Sequence, residues 1–317
     1  MKTLATIILN YKTADMACRS ADLALAAMRG IDGILVIVDN FSDDGSIEAL
    51  TEWRDKHSEK DRILLEFSPT NTGFSGGNNI GLRAVDAHYY VLLNSDTLAR
   101  EGAFAQMLSV AEENPRAGLI GPTLTGEDGA VQISRFRHFT PLSELINASG
   151  LDVVRRAFMK SDIPISTDSA VLPGWVSFAC VMLRKEMIDE IGLMDDGYFL
   201  YFEDSDYCRT AQENGWSIAL APDAHIVHLR GGSSPVKSRG AANKRLPAYY
   251  YASRARYYRK HYGFAGYVAA NLLWYAGRVL AHSKRLFFKQ PSKVCDRTAS
   301  DIWITQYHAQ QDPHATT

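Results

Sequence analysis

Four short apolar runs, each rich in β-branched residues and each followed by a segment of helical period, constrain this chain more than any other feature. The runs are LATIIL near residue 4, ILVIVD from Ile34, RILLEF from Arg62 and YYVLLN from Tyr89. Helical spacing of apolar positions recurs over about 14–29, 45–58, 77–86 and 101–113, so the chain reads β-α-β-α-β-α-β-α. Runs that are apolar at nearly every position suit strands buried on both faces, as in a mostly parallel sheet flanked by helices. Ligands of such sheets gather at the carboxyl ends of the strands. The polar residues that close the runs should therefore converge on one crevice: Asn10 and Tyr11, then Asp39 and Asn40, then Asn94 and Asp96.

Residues 122–172 are less regular, with Pro122, Pro141 and Pro164, and read as an insertion shaping the mouth of that crevice. The core resumes with VLPGWVSFACVMLR (Val171 to Arg184), a helix near 184–191 and a second helix opening at EDSDYCRTAQENG. With 317 residues the chain has room for one large α/β domain and an appendage, or for two domains. The division expected is a catalytic unit over 1–235 and a basic, aromatic, helical extension over 236–317.

Charge supports that division. Residues 1–229 carry 19 Lys+Arg against 33 Asp+Glu, whereas residues 230–317 carry 15 against 3. From Arg230 to Lys293 there are 14 basic residues and no acidic one, which points to an acidic body and a basic tail with an anionic partner. Two readings of residues 241–289 stand side by side: a helical pair packing its tyrosines on the body, or an interfacial segment on anionic lipid. The longest apolar run there, Tyr267 to Gly277, is well short of the roughly 20 residues a spanning helix needs. MKTLATIILNY reads as a first strand rather than a signal peptide, because Asn10 and Tyr11 interrupt it early. Cys18, Cys180, Cys208 and Cys295 lie far apart, which argues against a zinc module or a disulfide framework and suits a reducing cytoplasm. No nucleic-acid motif accompanies the basic run.

The chemistry narrows further. A dinucleotide site needs glycines at the first strand-to-helix turn, and NYKTADMACRS has none. GFSGGNNIG (Gly73 to Gly81) is no Walker loop; it reads either as a turn opening a helix near a phosphate or nucleoside, or as a tight capped loop. Asp96, taken alone, is an Asx-turn former at a strand end; beside other parts of a phosphate site it becomes a carboxylate for a hard divalent cation. Glu203, Asp204 and Asp206 crowd a helix start behind Tyr198, Phe199, Tyr201 and Phe202. Capping and the helix dipole account for one or two of these carboxylates, which leaves one for general-base work. His228, followed by Arg230 and two glycines, suits a site handling phosphate and metal, and imidazole suits Mn²⁺ better than Mg²⁺.

In order and spacing, NY after the first strand, VDNFSDDGS, NTGFSGGNN, LLNSD, the EDSD helix and VHLRGGSS resemble the inverting family 2 glycosyltransferases of GT-A fold, over about residues 1–235. Within that family the likeness is to the rhamnosyltransferase-like branch. The resemblance implies a metal-dependent enzyme using Mg²⁺ or Mn²⁺. It would move a sugar from a nucleotide donor, dTDP-L-rhamnose before UDP-hexoses, to a hydroxyl of a glycan or lipid-linked glycan in bacterial cell-surface polysaccharide synthesis. It implies that Asp39 contacts the nucleobase, that Asn10 and Tyr11 line the nucleoside pocket, and that Asn40, Gly73, Asn78, Asn94, Ser95 and Glu203 complete the donor site. Asp96 stands at the metal-binding aspartate of a D-x-D motif, here in N-x-D form; His228 matches a position that helps hold metal and diphosphate, and Arg230 lies beside it. Asp204 matches the catalytic base and Trp175 a segment near sugar and acceptor, although Phe178-Ala179 stands where Gly-Ala is common. A sugar-nucleotide pyrophosphorylase would carry a glycine- and basic-rich loop after the first strand, which is absent; an inactive nucleotide-sugar-binding protein would have no need of the carboxylates.

Overall fold

A computed structural model describes residues 1–229, 236–288 and 294–308 of the chain. The expected alternation is present: β1 (Lys2–Asn10), α1 (Ala14–Ala27), β2 (Gly33–Asp39), α2 (Ser46–Lys56), β3 (Ile63–Phe67), α3 (Gly73–Ala84) and β4 (Ala87–Asn94). After it come β5 (Thr97–Ala99), α4 (Ala103–Glu113) and β6 (Ala117–Thr125). The irregular region holds β7 (Arg135–Phe136), α5 (Pro141–Ser149) and α6 (Asp152–Ala157). It gives way to β8 (Trp175–Val176), β9 (Cys180–Arg184), α7 (Lys185–Ile191), α8 (Glu203–Glu213) and β10 (Ser217–His228). The chain closes with α9 (Val236–Ala241), α10 (Ala248–Phe288) and α11 (Thr298–Asp301).

The strands form an eight-stranded sheet in the order β3-β2-β1-β4-β9-β6-β10-β5, with β9 and β5 running against the rest. Both faces are covered, which explains the lack of polar alternation in the apolar runs. Leu4 and Ile8 of β1, Leu35 and Ile37 of β2, and Val91 and Leu93 of β4 pack with α1 and α4 on one side. Ala5, Ile7, Val36, Val38, Tyr90 and Leu92 pack with α3, α7 and α8 on the other.

Register puts the strand tips level, with Asn10 opposite Asp39, Asp39 opposite Phe67, and Leu9 opposite Asn94. A second constraint comes from β4 and β5. They sit fourth and last in the sheet, yet only Ser95 and Asp96 separate them, a span of at most ~11 Å. The sheet must curl until its far edge meets the tip of β4. That closure brings the end of β10, and His228 with it, to Asp96.

The glycines of GFSGGNNIG let α3 lie close on the sheet. The helix begins at Gly73, four residues before the expected start. A Cβ on Gly73 would stand 2.2 Å from the Phe199 carbonyl oxygen, and its φ of +71° is one that side chains disfavour. One and two turns on, Gly77 and Gly81 would collide with Leu9 and Ile7 of β1.

The basic tail finds much of its anionic partner in the body itself. Arg254 Nε donates to Glu144 at 2.9 Å, Arg256 Nη2 to Asp195 at 2.7 Å and Lys260 Nζ to Asp206 at 2.7 Å. Tyr257, Tyr258 and Tyr267 are buried with Tyr198 and Phe202 in one aromatic cluster. The packing reading thus describes the first part of α10 and continues to Tyr267 and Ala270, past Gly263, where the helix breaks with φ +68°. No helix among the described residues is long and apolar enough to cross a membrane.

Candidate active site

The first wall of the crevice is a hydrogen-bonded rim at the tips of β1 and β2. Asp39 is buried; its Oδ1 accepts from Asn10 Nδ2 at 2.7 Å and from Ser42 Oγ at 2.5 Å, and its Oδ2 accepts from the Ser42 N–H at 3.0 Å. Asn10 Oδ1 in turn accepts from the Thr13 N–H and hydroxyl. The Asn40 amide is spent on Asn71, the Gly73 carbonyl and Thr72, so it ties β2 to the start of α3. Asn78 is buried and donates to the Phe74 carbonyl one turn back. Tyr11 is partly exposed, with the Lys12 ammonium 5.5 Å from its ring centre. Lys12, Phe41 and Asp43 all adopt positive φ on this rim, a clustering of backbone strain typical of ligand sites.

The second wall is the β4–β5 turn. Ser95 Oγ lies 3.0 Å from Thr13 Oγ1, which joins the turn to the first wall. The Asp96 carbonyl accepts from the Leu229 N–H at 2.9 Å, and Asp96 Oδ2 stands 3.5 Å from His228 Nε2. Both side chains are buried, and Gln132 Nε2 steadies His228 through its carbonyl at 2.9 Å. One carboxylate and one imidazole at that separation fit two neighbouring ligands of a single divalent ion, each at ~2.1 Å. Among the described residues no group of three or more His, Cys, Asp or Glu could hold a metal, so an ion here needs further oxygens such as those of a diphosphate. Arg230 lies outside the described residues.

The third wall is the start of α8, reached through two consecutive non-glycine residues at positive φ, Tyr201 (71°) and Phe202 (70°). The three carboxylates there differ. Asp206, 2% exposed, accepts from Tyr198 Oη at 3.1 Å and from Lys260 and His261, each at 2.7 Å, and so has a structural use. Glu203 is 6% exposed, with Oε2 lacking a hydrogen-bond partner; burial and the charge of Asp204 hold its carboxyl well above the usual range. Asp204 is only partly buried and accepts from the Ser205 N–H at 2.8 Å. Burial pushes it up to about 7, against the opposing pull of backbone N–H groups including that of Phe178.

Phe178-Ala179 links the second and third walls. While Phe178 donates to Asp204, the Ala179 carbonyl accepts from the Asn94 N–H at 2.9 Å. Trp175, just upstream, is buried; its Nε1 donates to the Arg137 carbonyl, and its ring stacks on Phe136 at 4.1 Å and Phe139 at 5.7 Å.

The model of the family described as glycosyltransferase like family 2 matches residues 3–252, most of the chain. The chain belongs to glycosyltransferase family 2. Its similarity to individual members is lower. This glycosyltransferase is 26% identical over 233 residues to the N-acetylglucosaminyl-diphospho-decaprenol L-rhamnosyltransferase of Mycobacterium tuberculosis, covering 68% of this chain and 71% of that protein. It is 24% identical over 184 residues to a dTDP-rhamnosyl transferase of Shigella flexneri, covering 57% of each. Among solved structures it is similar to a mannosyltransferase from Pyrobaculum calidifontis in complex with GDP-Man and Mn²⁺, with a TM-score of 0.57 at 13% identity, over 92% of this chain and 77% of that one. GalNAc-T7 with UDP, GalNAc and Mn²⁺ gives a TM-score of 0.55 at 15% identity, over 80% and 51%. These two likenesses are of fold, and they carry the expectation of a GT-A architecture.

In this glycosyltransferase the strand-tip residues named from sequence do share one edge. The contribution of the tail to the α8 wall was not anticipated: Tyr257, Lys260 and His261 fasten Ser205 and Asp206. The excess of acid in the body matched by base in the tail is the signal that pointed there.

Proposed function

We propose that this glycosyltransferase moves a rhamnosyl or related hexosyl group from a nucleoside-diphosphate donor, dTDP-L-rhamnose in the first instance, to a hydroxyl of a lipid-linked glycan, with inversion. The observation that carries the reading is the placement of Asp204. It is the α8 carboxylate that keeps solvent contact and has a basicity near neutrality, one short linker from the strand tips bearing Asp96 and His228. The names of the rhamnosyltransferase relatives support the choice of sugar.

In this reading Asn10, Tyr11, Asp39 and Asn40 form the nucleoside side of the crevice, with Gly73 and Asn78 beneath it. Asn94, Ser95, Glu203 and Trp175 shape the space for the sugar. Asp96 and His228 would hold a divalent ion, Mg²⁺ or Mn²⁺, which when bound neutralises charge on the departing diphosphate. Arg230, two residues beyond His228 in the sequence, would supply a further positive charge for the diphosphate. Asp204 Oδ takes the proton of the acceptor hydroxyl as that oxygen attacks the anomeric carbon opposite the diphosphate, and a single displacement inverts the carbon. The unit over 1–235 would carry the chemistry, buttressed by the first part of α10, on the inner face of the cytoplasmic membrane.

Proton NMR of the product made from dTDP-L-rhamnose and a synthetic lipid-diphosphate sugar tests this directly. An inverted anomeric centre, formed by wild type and not by Asp204→Asn, is expected. A retained configuration, or full turnover by the variant, would remove Asp204 from the role.

A further inference from the structure

The exposed apolar surface does not lie where the tyrosine content of the tail would place it. Tyr257 and Tyr258 are buried, and Arg254, Arg256 and Lys260 beside them are paired with acids. Instead, large apolar side chains emerge on the turn formed by α6 and the single 3₁₀ turn Met159–Ser161 that follows it. There Val153 is 71% exposed, Phe158 41% and Met159 65%. Exposed cations alternate with them. Arg155 shares two acids, Asp152 and Asp162, but no salt bridge involves Arg156 or Lys160 among the described residues. The stretch VVRRAFMK thus presents three cations and no acid.

The tail carries a second exposed apolar stripe. Past Gly263, α10 has no charged residue until Arg278, and Phe264, Leu272 and Val279, spaced eight and seven apart, stand exposed on one side of it. Gly277 lies so close to the last turn of α5 that a Cβ would meet the Leu145 carbonyl oxygen at 2.7 Å, and Arg278 donates to the Ala148 carbonyl at 3.1 Å. The Val279 end of this stripe therefore belongs to the helical turn that packs on the carboxyl end of α5, from which α6 follows.

We infer that the α6 turn is the element that enters an anionic lipid surface, seating Phe158 and Met159 among the acyl chains while Arg156 and Lys160 meet the headgroups, with the distal part of α10 lying alongside. Apolar side chains rimmed by unpaired cations match an anionic interface in both polarity and charge. A symmetric contact with a second copy would set these cations against themselves. The turn belongs to the same 122–172 region whose Phe136 and Phe139 stack on Trp175, so membrane contact and the acceptor side of the crevice fall on one insertion. The inference rests on the placement of the protein at a membrane, not on the transfer reaction. Vesicle binding is read without a sugar donor, so a chain that binds vesicles but transfers nothing would fail the catalytic reading alone.

The test is co-sedimentation of the full chain with phosphatidylcholine vesicles that contain or lack phosphatidylglycerol. Three chains are compared: wild type, Phe158→Ser with Met159→Ser, and Arg156→Ala with Lys160→Ala. These side chains are exposed, and an unchanged thermal midpoint checks that each variant folds. Wild type should sediment with the anionic vesicles. The apolar pair of substitutions should weaken binding about tenfold or more, and the cation pair should reduce the preference for anionic lipid by a similar factor. Absence of wild-type binding, or binding equal in all three, would overturn the inference. So would a concentration-dependent dimer that the apolar substitutions disperse, which would make the surface a self-interface.

Discussion

Replacing Asp204 by asparagine should abolish transfer and at the same time stabilise the protein, by an amount that depends on pH. Asp204 ordinarily ionises near 3.8, and burial in the folded chain raises that to about 7. The folded state then binds a proton more tightly than the unfolded one, so stability falls as pH rises from about 4 through about 7 and stays low above it. Taken at face value the shift corresponds to ~4 kcal/mol. Asp204 keeps some solvent contact, so roughly half of that is expected, ~2 kcal/mol. Asparagine matches the protonated acid in shape, retains an acceptor for the Ser205 N–H, and has no charge to desolvate. Urea denaturation at pH 4.5 and pH 8 should give a gain for the variant of at most ~1 kcal/mol at the lower pH and ~2 kcal/mol at the higher. In thermal midpoint that is about 3 °C. In wild type, kcat/KM should climb about tenfold per pH unit below 7 and level off above it, as expected of a base that must be ionised. A variant that is less stable at pH 8, or that is stabilised equally at both values, would refute the electrostatic argument.

Two further substitutions probe how the tail and the glycine-rich helix support the site. Arg254→Met leaves Glu144 buried without its cation and should cost about 3–5 kcal/mol by urea denaturation, part of it recovered by adding Glu144→Gln; a loss below about 1 kcal/mol would show the pair to be incidental. Gly73→Ala drives a methyl into the Phe199 backbone and should lower the thermal midpoint well beyond Gly30→Ala, which has a similar φ of +78° but open space around it and should cost about 1 kcal/mol. Equal effects at the two glycines would mean that the close approach of α3 to the 198–202 loop is unimportant.

Much of the sheet was legible because each strand must be apolar on both faces and each must end in polar residues, a pattern that needs no long-range information. Asn10, Asp39, Asn94 and Asp96 could be assigned to one edge on that ground alone. The meeting of Asp96 with His228 could not, since 131 intervening residues separate them and the contact depends on the curl that returns β5 and β10 to the tip of β4. Three acids at the start of α8 were visible, but their different uses were not. Asp206 is claimed by Lys260 and His261 from an element more than 50 residues away, which composition foreshadowed only as a charge imbalance. The tyrosines of the tail fitted a core and an interface equally well, because an aromatic ring beside a cation satisfies both. Burial separated them, with the first part of α10 joining the core. The beginning of α3 was set four residues late because glycine argues against a helix interior, whereas here it is the close approach to β1 that requires it.

The most direct test of the account is calorimetric titration of dTDP and UDP into wild type and Asp96→Ala, with and without Mn²⁺. The account predicts that one nucleotide binds wild type at least about tenfold more tightly with the ion present, and that Asp96→Ala removes the enhancement while leaving the thermal midpoint near that of wild type. Nucleotide binding that ignores both the ion and the substitution would contradict it, leaving Asp96 as a turn former and the crevice without a metal.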